Sequence, residues 1–97
     1  MKPDCRERNV IKSRKIIEND TAYQYDLILF EGETTASFGI KLYEISIEMQ
    51  TKLSRTAYKS GGLFSSEEKA LSFFDMIIKN RVTPIDLPYV IEDSFCF

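Results

Sequence analysis

The spacing of apolar residues changes once along this chain, at Ser60-Gly61-Gly62, and that change restricts the folds open to it. Before the glycines, apolar residues recur at every second position, the period at which side chains alternate across a strand. After them, apolar residues recur at helical spacing. A block of strands followed by a helix is the pattern of an α+β fold, with the helix laid across one face of an antiparallel sheet. A chain of 97 residues holds a single domain, 1–97, with a core of modest size.

The strand block divides at its turn residues. Val10 to Glu18 reads as a strand or a short helix, and its β-branched pairs favour the strand. Asn19-Asp20 suits a two-residue hairpin turn, because both residue types tolerate positive φ. Such a turn sets a register in which Ile16 faces Tyr23, Arg14 faces Tyr25, Ser13 faces Asp26 and Val10 faces Leu29. Apolar then meets aromatic and polar meets polar, as cross-strand pairs should. Thr21 to Glu31 is the clearest strand, with Tyr23, Tyr25, Leu27 and Leu29 on one face. Its end, Leu27 to Phe30, is apolar on both faces and needs two covers. Glu31 to Thr35 reverses the chain.

Ala36 to Gln50 continues as a strand whose apolar parity switches. Phe38, Ile40 and Leu42 are even; Tyr43, Ile45, Ile47 and Met49 are odd. A bulge or sharp twist near Leu42–Tyr43 accounts for this, as does a strand covered on different faces at its two ends. Thr51 to Lys59 follows as an edge strand after a turn near Thr51–Ser54, with Lys52, Arg55 and Lys59 discouraging further pairing. The sheet is thus expected to be a meander of three or four strands.

The helix is expected over Ser66–Asn80. Ser65 and Glu68 have the spacing of a capping box, and Ala70, Leu71, Phe73, Phe74, Ile77 and Ile78 form its apolar stripe. Asn80 suits the left-handed exit. Pro84 forbids continuation. Thr83 to Asp86 then reads as one helical turn, and Pro88 to Ser94 as a short C-terminal helical turn anchored by Val90 and Ile91. Phe95 and Phe97 are available to lid the sheet.

Several of these runs are similar to a known family. Tyr25-Asp-Leu27, Phe38-Gly-Ile40 and above all Val82-Thr-Pro-Ile-Asp-Leu87, followed by Val90-Ile-Glu-Asp93, resemble a domain-of-unknown-function family. Its members are small proteins of Gram-positive, clostridia-like bacteria. The family run carries a His where this chain has Asp86, and Pro88 interrupts the segment after it, so any chemical role of that His is in doubt here. The likeness covers about residues 21–95 and implies no activity.

Charge narrows the function classes. The net charge of −2 combines +4 over residues 1–15 with −6 over the rest. A basic segment, with residues 1–9 as a flexible arm, can meet nucleic acid, an acidic partner or another copy's acidic tail. There is no His, so triads and the commonest metal ligand are absent from the sequence. No catalytic residue, cofactor or metal site is assigned, and the chain is expected not to be an enzyme. Cys5 and Cys96 have no metal or redox spacing and are read as free thiols. The N-terminal residues lack the apolar core of a signal peptide, no run is long enough to span a membrane, and a cytoplasmic protein is expected.

The candidate interaction residues are Asp86, Glu92, Asp93, Tyr23, Tyr25 and Arg14. Asp86, Glu92 and Asp93 can hold a cation or share a proton, although solvated charge and capping are the plainer reading. Glu44 and Glu48 share a strand face and offer a second cation site on the same terms. Gly61-Gly62 before a helix faintly suggests a phosphate loop, but turn chemistry is the plainer reading. Tyr23 and Tyr25, beside Arg14 and its neighbouring bases, can form a surface that grips phosphates and stacks bases. The favoured expectation is a protein-interaction or regulatory module that forms a homodimer, with the second copy covering the Leu27–Phe30 end or meeting an unknown protein partner.

Overall fold

The computed structural model describes the backbone of residues 8–32 and 40–95, and the side chains of 9–30 and 41–94. The expectations placed on the arm up to Glu7, on Cys5, Phe38 and Cys96, and on the side chains of Phe95 and Phe97 lie outside these residues.

Four strands, β1 (Arg8–Glu18), β2 (Thr21–Gly32), β3 (Ile40–Gln50) and β4 (Arg55–Lys59), pair in sequence order as an antiparallel meander. Helices α1 (Glu67–Lys79) and α2 (Leu87–Phe95) follow. The α+β architecture is the one the change of period requires. α1 packs on β2 and β3. Between them Tyr25, Leu27, Ile45, Ile47, Phe74, Ile77 and Leu87 are fully buried. Each side chain of this size contributes about 1.5–3 kcal/mol relative to an exposed one.

The β1–β2 hairpin turns on Asn19 and Asp20, at φ 51° and 64°, as the turn residues predict. From Glu18 to Lys12 the expected register holds. It then slips by one residue at Ile11, so that Val10 lies opposite Ile28 and not Leu29. β1 also starts at Arg8, earlier than Val10, pairing Arg8 with Phe30 and Asn9 with Leu29. The irregularity placed near Leu42–Tyr43 is therefore found in β1 instead.

β3 itself is regular, paired with β2 without a break from Ile40–Gly32 to Gln50–Ala22. Its parity switch has the other cause. Tyr43, Ile45 and Ile47 are buried towards α1, while Leu42 points to the opposite face beside Gly62. A Cβ on Gly62 would meet the Leu42 Cδ1 at 2.9 Å, so a larger residue there would push the Leu42 side chain aside. On that same face Ile28 and Phe30 are 9% and 8% exposed. The second cover sought for the end of β2 is thus supplied within one chain. The middle of this face is polar: Ser13 donates to Asp26 at 2.7 Å, and Gln24 donates to Ser13 at 2.7 Å.

The helix caps differ from expectation by one residue at each end. Ser66, not Ser65, is the N-cap, its hydroxyl accepting from the Lys69 N–H at 3.3 Å. Counted from Ser66, the third helical residue is Lys69, so the reciprocal bond of a capping box does not form. At the other end Asn80 keeps φ at −93°, and Arg81 takes the left-handed exit at 51°. The Arg81 N–H donates to Ile78 O and the Val82 N–H to Ile77 O, the paired bonds of a Schellman closure. A non-glycine residue at that position costs about 1 kcal/mol. The Arg81 side chain pairs with Glu18 at the end of β1, at 3.1 Å.

Thr83 then opens the C-terminal unit. Its carbonyl accepts from Asp86 and Leu87, and its hydroxyl from Asp86 at 3.2 Å. α2 starts at Leu87, one residue before the expected Pro88. Pro88 falls in the first turn, where its missing N–H leaves no bond unmade. Leu87 is fully buried, with Val90 and Ile91 packed against the core.

Candidate functional site

The six candidate residues fall into two groups that the fold does not bring together into one cluster. Tyr23, Tyr25 and Arg14 sit on the β1–β2 hairpin; Asp86, Glu92 and Asp93 sit on α2 and its leading turn. Among the described residues no three acids or thiols are grouped so as to hold a metal ion.

The tyrosines belong to the core. Tyr25 is fully buried on the α1 face of β2 and its hydroxyl donates to the Val82 carbonyl at 3.0 Å. Tyr23 stacks on it, ring centroids 6.1 Å apart and planes within 11°. Alternation along β2 put both on the inward face, and the inward face is where α1 lies. A surface for stacking bases therefore loses its aromatic half. Arg14 stands exposed opposite Tyr25 on β1. Lys12 contacts Asp75 at 3.7 Å, whereas Arg14 and Lys15 have no ion-pair partner among the described residues.

Burial has a titration consequence at Tyr25. Its hydroxyl is pushed up to about 12 from 10.0, first by desolvation and then by Tyr23, with Glu18 adding and Arg81 opposing. The folded state thus holds this proton more tightly than the unfolded chain. The resulting stability is fully present below pH 10 and is lost as pH rises towards 12. Tyr43 is raised too, by burial and then by the Glu67 carboxylate that accepts its hydroxyl at 3.3 Å. Tyr25→Phe is expected to cost about 1 kcal/mol at neutral pH, the worth of one buried hydrogen bond. It is also expected to flatten the alkaline fall in urea midpoint. A variant whose midpoint falls as steeply as wild type between pH 10 and 12 would assign that fall to other groups.

The remaining acidic and glycine candidates are occupied by the fold. The buried Glu44 carboxylate accepts from the Gly61 N–H at 3.1 Å, so the amide a phosphate would need already faces an anion. Ser60 locks the same loop to β3, accepting from the Ile45 N–H at 2.9 Å. Glu48 is paired with Arg55.

Asp86, Glu92 and Asp93 are all exposed or partly so, on the outer side of the C-terminal unit. Asp86 and Asp93 share a helical face about two turns, or roughly 10 Å, apart. They lie beside a feature that reading for carboxylates missed. Ile85 is 61% and Tyr89 68% exposed, and with Pro88, Ile91 and Glu92 they line a shallow depression of about 450 Å³. The signal was present in the sequence: Ile85, Tyr89 and Glu92 recur at i, i+4 and i+7, opposite the Leu87 and Val90 that anchor the helix. An apolar strip with acidic flanks is suited to gripping another protein surface.

Residues 7–96, nearly the whole chain, match the Family of unknown function (DUF6514). The chain belongs to that family. A family of unknown function is what the runs in β2 and in Val82–Asp93 implied. No curated protein and no solved structure matches this DUF6514 chain. No helix among its described residues is long and apolar enough to cross a membrane.

Proposed function

We propose that this DUF6514 protein is a protein-interaction module that acts by binding and not by catalysis, and that it self-associates as a homodimer through α2. The observation that carries this reading is the exposed Ile85–Tyr89 strip on a helix whose opposite side is anchored in the core. Exposed apolar side chains on a rigid, anchored helix lose little freedom on binding, so more of the contact energy is retained. The proposal extends to a cytoplasmic location, supported by the reading of Cys5 and Cys96 as free thiols. It also takes the family to be one of clostridia-like Gram-positive bacteria, with Val82–Asp93 as its characteristic run.

Sedimentation equilibrium at micromolar concentration is expected to give twice the 11.2 kDa chain mass, and a single-chain mass for Tyr89→Ala. A single-chain mass for the wild type at every concentration would overturn the reading. Nucleic acid is the lesser alternative, supported by Arg14 and Lys15, which have no ion-pair partner among the described residues; labelled RNA or DNA left unshifted at low salt removes it.

A further inference from the structure

Among the described residues, the large apolar side chains left exposed are Val10, Ile11, Ile17, Leu53, Ile85 and Tyr89. Leu53 lies in the β3–β4 turn. The others fall on two surfaces. Val10, Ile11 and Ile17 lie along β1, an outer strand of the sheet, with the exposed Arg14 and Lys15. Ile85 and Tyr89 lie on α2 and its leading turn, with Asp86, Glu92 and Asp93. The two surfaces are alike in apolar content and opposite in charge.

We infer that α2 of one copy docks on β1 of a second copy, the contact being made twice about a two-fold axis. This rests on the self-association proposed above and names the surface that α2 meets. Strand register places Val10, Lys15 and Ile17 on one face of β1, the face away from α1, because they lie opposite Ile28, Gln24 and Ala22. There the small Ala22 side chain leaves a shallow depression of about 250 Å³ beside Ile17, also lined by Asp20, Gln50 and Lys52. Tyr89 offers a flat apolar ring with a polar tip, the shape and chemistry for a half-wet hollow of this kind. Glu92 and Asp93, three and four residues further along the helix, are placed to meet Lys15 on that face.

Each surface also repels its own kind. Pairing β1 with β1 of a second copy sets Lys12, Arg14 and Lys15 against the same cations, which disfavours edge-to-edge association. Pairing α2 with α2 crowds two sets of Asp86, Glu92 and Asp93. Only the mixed contact neutralises both, and repulsion against the alternatives is what makes an interface specific. Repeating the mixed contact about a two-fold axis closes the assembly at two chains.

The test uses two full-length variants, Glu92→Lys/Asp93→Lys and Lys15→Glu. None of the three positions is buried, and unchanged circular dichroism and melting confirm that both variants fold. Each variant alone is expected to weaken the dimer about tenfold or more, while an equimolar mixture of the two recovers wild-type association, since each then offers the other an opposite charge at both contacts. Wild-type association is expected to weaken as salt rises. A β1 variant that stays as dimeric as wild type, while the α2 variant dissociates, overturns the β1 docking and leaves α2 as the contact surface. A wild type that is monomeric throughout fails the underlying reading instead. Association strengthened by salt also overturns the docking.

Discussion

Phe74→Ala is expected to cost about 3–5 kcal/mol, measured as a shift in the urea midpoint at constant slope. Phe74 is the fully buried residue at the centre of the α1 stripe, flanked by Ala70, Phe73, Ile77 and Ile78. It belongs to the cluster in which β2 contributes Tyr25 and Leu27, and β3 contributes Tyr43, Ile45 and Ile47. Removing the ring forfeits its transfer energy and leaves a hole. The hole closes poorly, because the sheet beneath is held by two antiparallel ladders on either side of β2. Domains of this size are stable by only about 5–15 kcal/mol, so the loss is a large share of the whole. Phe73→Ala is the internal comparison. Phe73 is 8% exposed and meets Phe64 at 5.3 Å between ring centroids, at the end of the core where the chain enters α1. Its loss is expected to be smaller. Equal losses at the two positions would mean that α1 is not seated on the sheet through Phe74.

The fold was legible where one physical signal acted alone. Alternation in β2 set the inward face, and φ-tolerant Asn19 and Asp20 set the hairpin, so the cross-strand partners of Ile16, Lys15, Arg14 and Ser13 followed by counting. Counting failed at Ile11, because a bulge adds a residue without altering composition, and nothing in Val10-Ile11-Lys12 marks it. The parity switch in β3 had two physical causes that leave the same pattern in sequence. It was the crossing of Gly62 over Leu42, a contact between residues far apart in the chain, that decided between them. The caps were ambiguous for a local reason: Ser65 and Ser66 are adjacent, and the side chain that accepts is the one whose backbone is extended, at φ −110° and ψ 126°.

The candidate site was less legible, and the reason is chemical. A reading for carboxylates and tyrosines sought groups that react or stack. Tyr23 and Tyr25 proved to be structural, one hydroxyl bonding a helix exit 57 residues away. Glu44 serves the loop before α1. What remains exposed is an apolar strip whose significance depends on which side of α2 faces the core. That side is set by Leu87, and Leu87 is therefore where stability and the proposed contact are joined.

Leu87→Ala is expected to cost about 2–5 kcal/mol, and to be felt first in α2. A nine-residue helix is too short to persist alone in water, so its helicity depends on what it packs against. Leu87 is its one fully buried residue among those described, whereas Val90 and Ile91 are only partly covered. The bonds from Tyr89 and Val90 to the Asp86 carbonyl start the helix but do not hold it to the sheet. Without the Leu87 side chain, hydrogen exchange is expected to quicken at Val90 and Ile91 while the amides shared by β2 and β3 stay protected. Tyr89→Ala makes the contrast, because Tyr89 touches little within its own chain at 68% exposure. It is expected to abolish self-association and leave exchange and melting as they are, whereas Leu87→Ala is expected to lose both. Unchanged protection of α2 in Leu87→Ala would show that the helix is held by Val90 and Ile91. The exposed strip would then owe its rigidity to those side chains.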